Sequence, residues 1–199
     1  MKIVILCGGK GTRLAEETTT KPKPMVKIGN LPIIEHIMKI FKNQGFDEFI
    51  LALGYKGELI KEHFKNKDYN VKLVDTGEET LTGGRLLKLK KILDKDRFFL
   101  TYGDGLADID LNKLLKFHLI HKKIATVTAV RPPARFGELY IKKSKVEKFQ
   151  EKPQTSSGWI NGGFFIFEPK IFDYLKGSKT ILEREPLEKL CKKKQFMAF

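Results

Sequence analysis

Directly after a short apolar run, Ile3 to Leu6, the chain reads Cys7-Gly8-Gly9-Lys10-Gly11-Thr12-Arg13-Leu14. Glycines let backbone N–H groups come close to an anion, and Arg13 adds a planar, permanently charged fork that suits phosphate oxygens. The turn lacks the Gly-Lys-Ser/Thr of a Walker A loop, and Leu14 stands where a dinucleotide fingerprint needs its third glycine. Lys21-Pro22-Lys23-Pro24-Met25 follows. Its prolines stiffen the backbone, so Lys23 is a cation at a fixed place. Farther on, Tyr102-Gly103-Asp104-Gly105 comes just after the apolar Phe98–Leu100. A carboxylate there either holds Mg²⁺ together with substrate phosphates or makes a turn. Thr80, Thr82 and Arg85 lie at the start of a helical stretch, where hydroxyls can cap the helix. The four histidines stand in no order with Ser or Cys that would make a catalytic triad.

These residues need a frame, and the hydrophobic pattern supplies one. Apolar runs at Lys2–Cys7, Glu48–Leu53, 70–74, 97–101 and Ala125–Val130 read as strands. Between them, 33–43, 57–65, 85–93 and Leu111–His121 carry apolar residues at helical spacing. Leu59, Ile60 and Phe64 are expected on one side of their helix, and Leu111, Leu114, Leu115 and Leu119 inward on theirs. Asp108 and Asp110 are candidate N-caps of the latter. Strands alternating with helices argue for a mostly parallel sheet covered on both faces, with ligands beyond the carboxyl ends of the strands. After Pro132-Pro133 the pattern changes to a hairpin around 142–145, an aromatic strand at 162–167 with Phe164, Phe165 and Phe167 in the core, and two short helices near 171–175 and 186–193.

With 199 residues the chain suits one domain that buries about 70% of its unfolded surface. Its formal charge of +14 comes almost wholly from lysines spread along the chain. No zinc-finger, helix-turn-helix or RNP-type pattern accompanies them, which argues against nucleic acid and leaves phosphate-rich small substrates. No stretch approaches the ~20 apolar residues of a membrane helix, so no membrane partner is expected. Cys7 and Cys191 form no disulfide framework and no metal spacing, which fits a reducing cytoplasmic compartment; Cys7 reads as a small buried filler.

Gly8-Gly9-x-Gly11-Thr12-Arg13-Leu14 followed by Pro22-Lys23-Pro24-Met25 resembles the signature of the sugar-1-phosphate nucleotidyltransferases. Further stretches resemble one branch, the glucose-1-phosphate cytidylyltransferases: Leu53-Gly54-Tyr55-Lys56-Gly57, Val74-Asp75-Thr76-Gly77, Thr82-Gly83-Gly84-Arg85-Leu86, Glu151-Lys152-Pro153, Trp159-Ile160-Asn161-Gly162-Gly163 and Glu183-Arg184-Glu185-Pro186-Leu187. The resemblance spans nearly the whole chain. It implies a Rossmann-like three-layer α/β nucleotidyltransferase fold with a mixed, mostly parallel central sheet. It implies one domain over 1–199, with a nucleotide-binding half to about 130 and a sugar-phosphate half from about 131. The implied reaction joins a nucleotidyl group from an NTP, CTP in this branch, to glucose 1-phosphate. A dTTP- or UTP-dependent enzyme and a non-catalytic nucleotide-sugar-binding domain remain the alternatives, and a homo-oligomer stays open.

The resemblance also implies roles. Arg13 would meet the triphosphate and leaving group, Lys23 the α-phosphate, and Asp104 Mg²⁺ as cofactor. Leu6, Cys7, Gly8, Gly9, Lys10, Gly11, Thr12, Thr80, Thr82, Arg85 and Gly103 would surround the nucleotide. Gly137, Glu151, Lys152, Asn161 and Gly162 would meet the sugar phosphate. Two departures from the branch stand out. The connection after Phe64 is short, and the element that carries a second metal aspartate would lie beyond Phe199. The expectation is weak CTP binding and slow turnover, with 196–199 forming a strand.

Overall fold

The computed structural model describes residues 1–9, 20–132, 138–142, 144–150 and 158–199. Among the described residues, seven strands form the main sheet: β1 (Lys2–Leu6), β4 (Glu48–Leu53), β5 (Val71–Asp75), β6 (Phe98–Tyr102), β7 (Ala125–Val130), β10 (Ile160–Phe167) and β11 (Phe196–Ala198). Their order across the sheet is β11-β7-β10-β6-β1-β4-β5. Neighbours pair parallel except β10, which runs antiparallel to both β6 and β7. Two small antiparallel pairs stand apart, β2 (Lys27–Ile28) with β3 (Leu31–Pro32), and β8 (Glu138–Lys142) with β9 (Lys145–Gln150). The expected mixed, mostly parallel sheet and the hairpin around 142–145 are both present.

Six helices are described: α1 (Ile33–Lys42), α2 (Gly57–Phe64), α3 (Thr82–Lys88), α4 (Lys90–Leu93), α5 (Leu111–His121) and α6 (Glu185–Lys192). Strand β1 shows why both faces of the sheet need cover. Ile3, Ile5 and Cys7 join one core with Ile34, Ile37, Phe41 and Leu114, while Val4 and Leu6 join a second core with Leu86, Leu93, Phe165 and Leu190. Side chains alternate across a strand, so a continuous apolar run is what a doubly covered strand requires. Phe164 and Phe165 fall into opposite cores for the same reason, and Phe167 is fully buried as well.

Four expectations need correction. Leu59 is 44% exposed and Leu119 is 43% exposed. The inward place one position before Leu119 belongs to His118, whose Nδ1 meets the Thr126 hydroxyl at 2.7 Å. The helix expected over 85–93 starts earlier and is two helices, broken at Leu89, where the backbone turns to φ −89° and ψ 0°. Leu86, Leu89 and Leu93 are all buried, so the apolar stripe runs through the break and hides it from periodicity. The segment near 171–175 is a 3₁₀ turn, Pro169–Tyr174. Of the two aspartates before α5, Asp110 is the N-cap, accepting from the Lys113 N–H at 2.9 Å. Strand β11 forms over residues 196–198 as expected. No described helix is long and apolar enough to cross a membrane.

One carboxylate is buried in the first turn of α1. Glu35 on α1 accepts from His63 Nε2 at 2.6 Å, from Tyr69 OH at 3.0 Å and from Lys67. This network ties α1 to α2 and to the short connection that leads into β5.

Candidate active site

The carboxyl ends of β1, β4, β5 and β6 meet at one edge of the sheet, and a cavity of about 510 Å³ opens there. Leu6, Cys7, Gly8 and Gly9 form its floor where β1 ends. Lys23 and Pro24 come in from a 3₁₀ turn, Lys23–Met25, and Thr80 to Thr82 lie across from them with Arg85. Tyr102, Gly103 and Asp104 complete the wall at the end of β6. Residues 81 positions apart thus face each other: the Lys23 ammonium pairs with Asp104 Oδ2. The 3₁₀ turn brings Lys23 there because Pro22 and Pro24 fix its backbone, and Pro24 itself is buried. Gly103 leaves the room: a Cβ at this position would lie 2.7 Å from Pro24 Cγ and 3.0 Å from the Leu6 carbonyl.

Arg85 is buried beneath the pocket. Its guanidinium donates to the carbonyls of Leu53 (2.9 Å), Gly77 (2.9 Å), Gly8 (2.7 Å) and Glu78 (3.0 Å), and to the Thr76 hydroxyl (2.7 Å). Burial pulls its pKa down from the ordinary value. One planar cation therefore gathers the loops that follow β1, β4 and β5. The guanidinium occupies the space a Gly8 side chain would need, which is why that position carries none.

The start of α3 is spoken for as well. The Gly83 and Gly84 N–H groups both donate to the Thr180 carbonyl, at 3.0 and 3.1 Å, and the N-cap Leu81 supplies no side-chain cap. The Thr82 hydroxyl donates to Glu183 Oε2 at 2.6 Å and accepts from the Leu182 N–H at 2.9 Å. Glu183 Oε1 in turn accepts from Tyr102 OH at 2.6 Å, and Asn161 Nδ2 reaches the same phenol oxygen at 3.4 Å. Burial first, then the Glu183 carboxylate, pushes the Tyr102 phenol far up, so it stays a proton donor. Asn161 Oδ1 accepts from the Gly163 N–H at 2.8 Å, and Gly162 lies tight against the Thr128 carbonyl. The Cys7 thiol is buried and pushed up by desolvation, which suits a filler.

Of the expected site residues, Leu6 to Gly9, Lys23, Thr80, Thr82, Arg85, Gly103 and Asp104 come together around this cavity. Asn161 joins through Tyr102, and Gly162 is next to it on β10. Lys10, Gly11, Thr12, Arg13, Gly137, Glu151 and Lys152 lie outside the described residues. Sequence spacing gives Tyr102 and Glu183 no role, although both stand in motif stretches. Their signal is contact across 81 residues, which no local spacing carries.

A Nucleotidyl transferase family model matches residues 2–195. The chain belongs to the nucleotidyl transferase family. This nucleotidyltransferase is 45% identical to the glucose-1-phosphate cytidylyltransferase of Salmonella typhimurium, over all of the chain and 87% of that relative. The aligned stretch has 224 positions against 199 residues here, so the relative carries residues inside it that this chain lacks. The D-glycero-alpha-D-manno-heptose 1-phosphate guanylyltransferase of Aneurinibacillus thermoaerophilus is 34% identical over all of the chain and 89% of that protein. Among solved structures, HddC from Yersinia pseudotuberculosis complexed with GMP-PN superposes with a TM-score of 0.78 at 30% identity, over all of this chain and 89% of that one. The nucleotidyltransferase fold is therefore shared across enzymes whose names specify different bases.

Proposed function

We propose that this nucleotidyltransferase takes CTP and glucose 1-phosphate and makes CDP-glucose and pyrophosphate. The observation that carries the reading is 45% identity along the entire chain to a glucose-1-phosphate cytidylyltransferase, against 34% to a guanylyltransferase. In this reading residues 1–199 act as one domain, with a nucleotide half to about 130 and a sugar-phosphate half after it.

The attacking group is a phosphate oxygen of the sugar 1-phosphate. It is already ionised, so no general base is needed, and catalysis consists of positioning and charge neutralisation. The pocket agrees with that economy. Its phenol is held protonated by burial and by Glu183, its thiol is buried, and none of the described residues that line it is a histidine. Lys23 is given to the α-phosphate, which it would reach by leaving Asp104. Arg13 is given to the triphosphate and leaving group, and Lys152 with Glu151 to the sugar phosphate.

Asp104 fits a divalent cation in its chemistry. Its Oδ2 takes Lys23, while Oδ1 has no hydrogen-bond partner among the described residues and the side chain is one-third exposed. Mg²⁺ needs few protein carboxylates because substrate phosphates and waters complete its shell. When bound it would neutralise phosphate charge, with Asp104 as its ligand.

The test is pyrophosphate release with glucose 1-phosphate and each of CTP, GTP, UTP and dTTP. CTP should be preferred by at least an order of magnitude in kcat/KM, about 1.4 kcal/mol of discrimination. Preference for GTP would move the chain to the guanylyl branch. No release with any nucleotide, under conditions in which CTP still binds, would leave a nucleotide-sugar-binding domain.

A further inference from the structure

The opposite edge of the sheet holds a second and larger concavity, about 1140 Å³. It lies where β6, β7 and β11 begin and β10 ends, lined by Arg97, Ile124, Glu168 and Gln195 from just outside those strands. Seven lysines and Arg97 face Glu168 and Asp173 across it. Part of this charge is matched. Arg97 Nε donates to Glu168 at 2.9 Å, and Lys176 and Lys189 share Glu185. Lys193 lies over the Tyr174 ring, 5.1 Å from its centre. Lys122, Lys123, Lys170 and Lys192 have no carboxylate partner among the described residues.

Two helices, α5 and α6, end at this groove. Each C-terminus presents about half a unit of negative charge, so the two of them and Asp173 together balance roughly two lysines of the four. Gathering the remaining cations in one concavity raises their mutual repulsion, which an anion would relieve. Lysines are point charges suited to phosphate oxygens, and a concave wall suits a compact ligand better than a flat surface does. His118 at the floor, 1% exposed, is held by Thr126 and by Glu168 at 3.3 Å, so the base of the groove is preformed.

We propose that this groove is a second anion site, separate from the catalytic pocket, that takes a small multiply phosphorylated molecule with three or more phosphate charges in a row. The test is a calorimetric titration of the full chain with inorganic tripolyphosphate, without divalent metal, at low salt and near physiological ionic strength. Two binding events are expected. The triple variant Lys123→Gln, Lys170→Gln, Lys192→Gln should weaken one event roughly tenfold or more, since three positive charges are lost from one concave wall. It should keep its circular dichroism and its pyrophosphate release. Lys23→Ala should weaken the other event alone. A single event, abolished by Lys23→Ala, overturns the proposal, and so does a triple variant that titrates like the parent. Sedimentation with phosphatidylglycerol vesicles closes the remaining case. Loss of vesicle binding in the triple variant, with its tripolyphosphate isotherm unchanged, would make the groove a lipid-facing surface and overturn the small-molecule site. Binding heats do not depend on turnover, so this result stands apart from the choice of nucleotide and sugar.

Discussion

Two cations of the candidate site are held in opposite ways. Lys23 is partly exposed and holds one carboxylate, so it can change partner when a phosphate arrives. Removing such a donor should lower kcat about 10²–10³-fold, as for other groups that stabilise transition-state charge. Lys23→Ala should do so with an unchanged melting temperature; a near-normal kcat would take Lys23 out of the mechanism. Arg85 is committed to four carbonyls and a hydroxyl, and an ammonium cannot span that fork. Arg85→Lys should leave several of them unsatisfied, at about 1–3 kcal/mol each, and lower thermal stability along with activity. A variant that melts like the parent but loses CTP affinity would instead return Arg85 to direct nucleotide contact. The sequence displayed both residues as positive charges near glycines. It could not display which one would be desolvated, because the acceptors of Arg85 come from five separate positions between 8 and 78.

The elements were legible wherever burial follows period. Glu48–Leu53, Leu111–His121 and Ala125–Val130 form over the residues their patterns mark. Two of the misread places have a physical cause in the packing: a polar side chain takes an inward position, as His118 does beside Leu119, or an apolar stripe crosses a backbone break, as at Leu89. Glu35 belongs to the first kind, a charged residue inside the apolar face of α1. Burial alone would push its carboxyl up, but hydrogen bonds from Lys67, His63 and Tyr69 outweigh that and hold it below the ordinary value. A lowered native pKa stabilises the fold above the ordinary carboxylate range, and that contribution is lost as pH falls through the native value. Melting temperature followed from pH 6 downward should therefore fall less steeply in Glu35→Gln than in the parent, from a lower starting point. Parallel curves would mean that the network contributes no proton linkage.

Across the whole molecule, the main sheet interleaves strands from before and after residue 130. Strand β10, from the second half, lies between β6 and β7 of the first. A fragment ending near residue 130 would leave both of those strands without their common neighbour and expose Phe98, Leu100 and Ala125, all fully buried in the whole chain. It should lack a cooperative thermal transition, and adding a 158–199 peptide should restore one only in part. A fragment that melts cooperatively alone would show that the first half is a domain. The sheet class and the pocket's position could be argued from alternating elements and glycines at strand ends. The Tyr102–Glu183–Thr82 link could not, since it depends on the order of strands, and strand order is set by pairings between residues far apart in the chain.

That central antiparallel strand also sets a timetable. As the polypeptide leaves the ribosome, β1, β4, β5 and β6 can pair in sequence, while β7 is made without its neighbour on the β6 side. The gap closes only when residues 160–167 have emerged. Until then one edge of β6 and both edges of β7 stand open, since β11 is made later still, and open edges invite pairing with other chains. Nascent chains stalled before residue 160 should therefore be captured by chaperones and cut readily by protease, and chains stalled well after residue 167 should resist both.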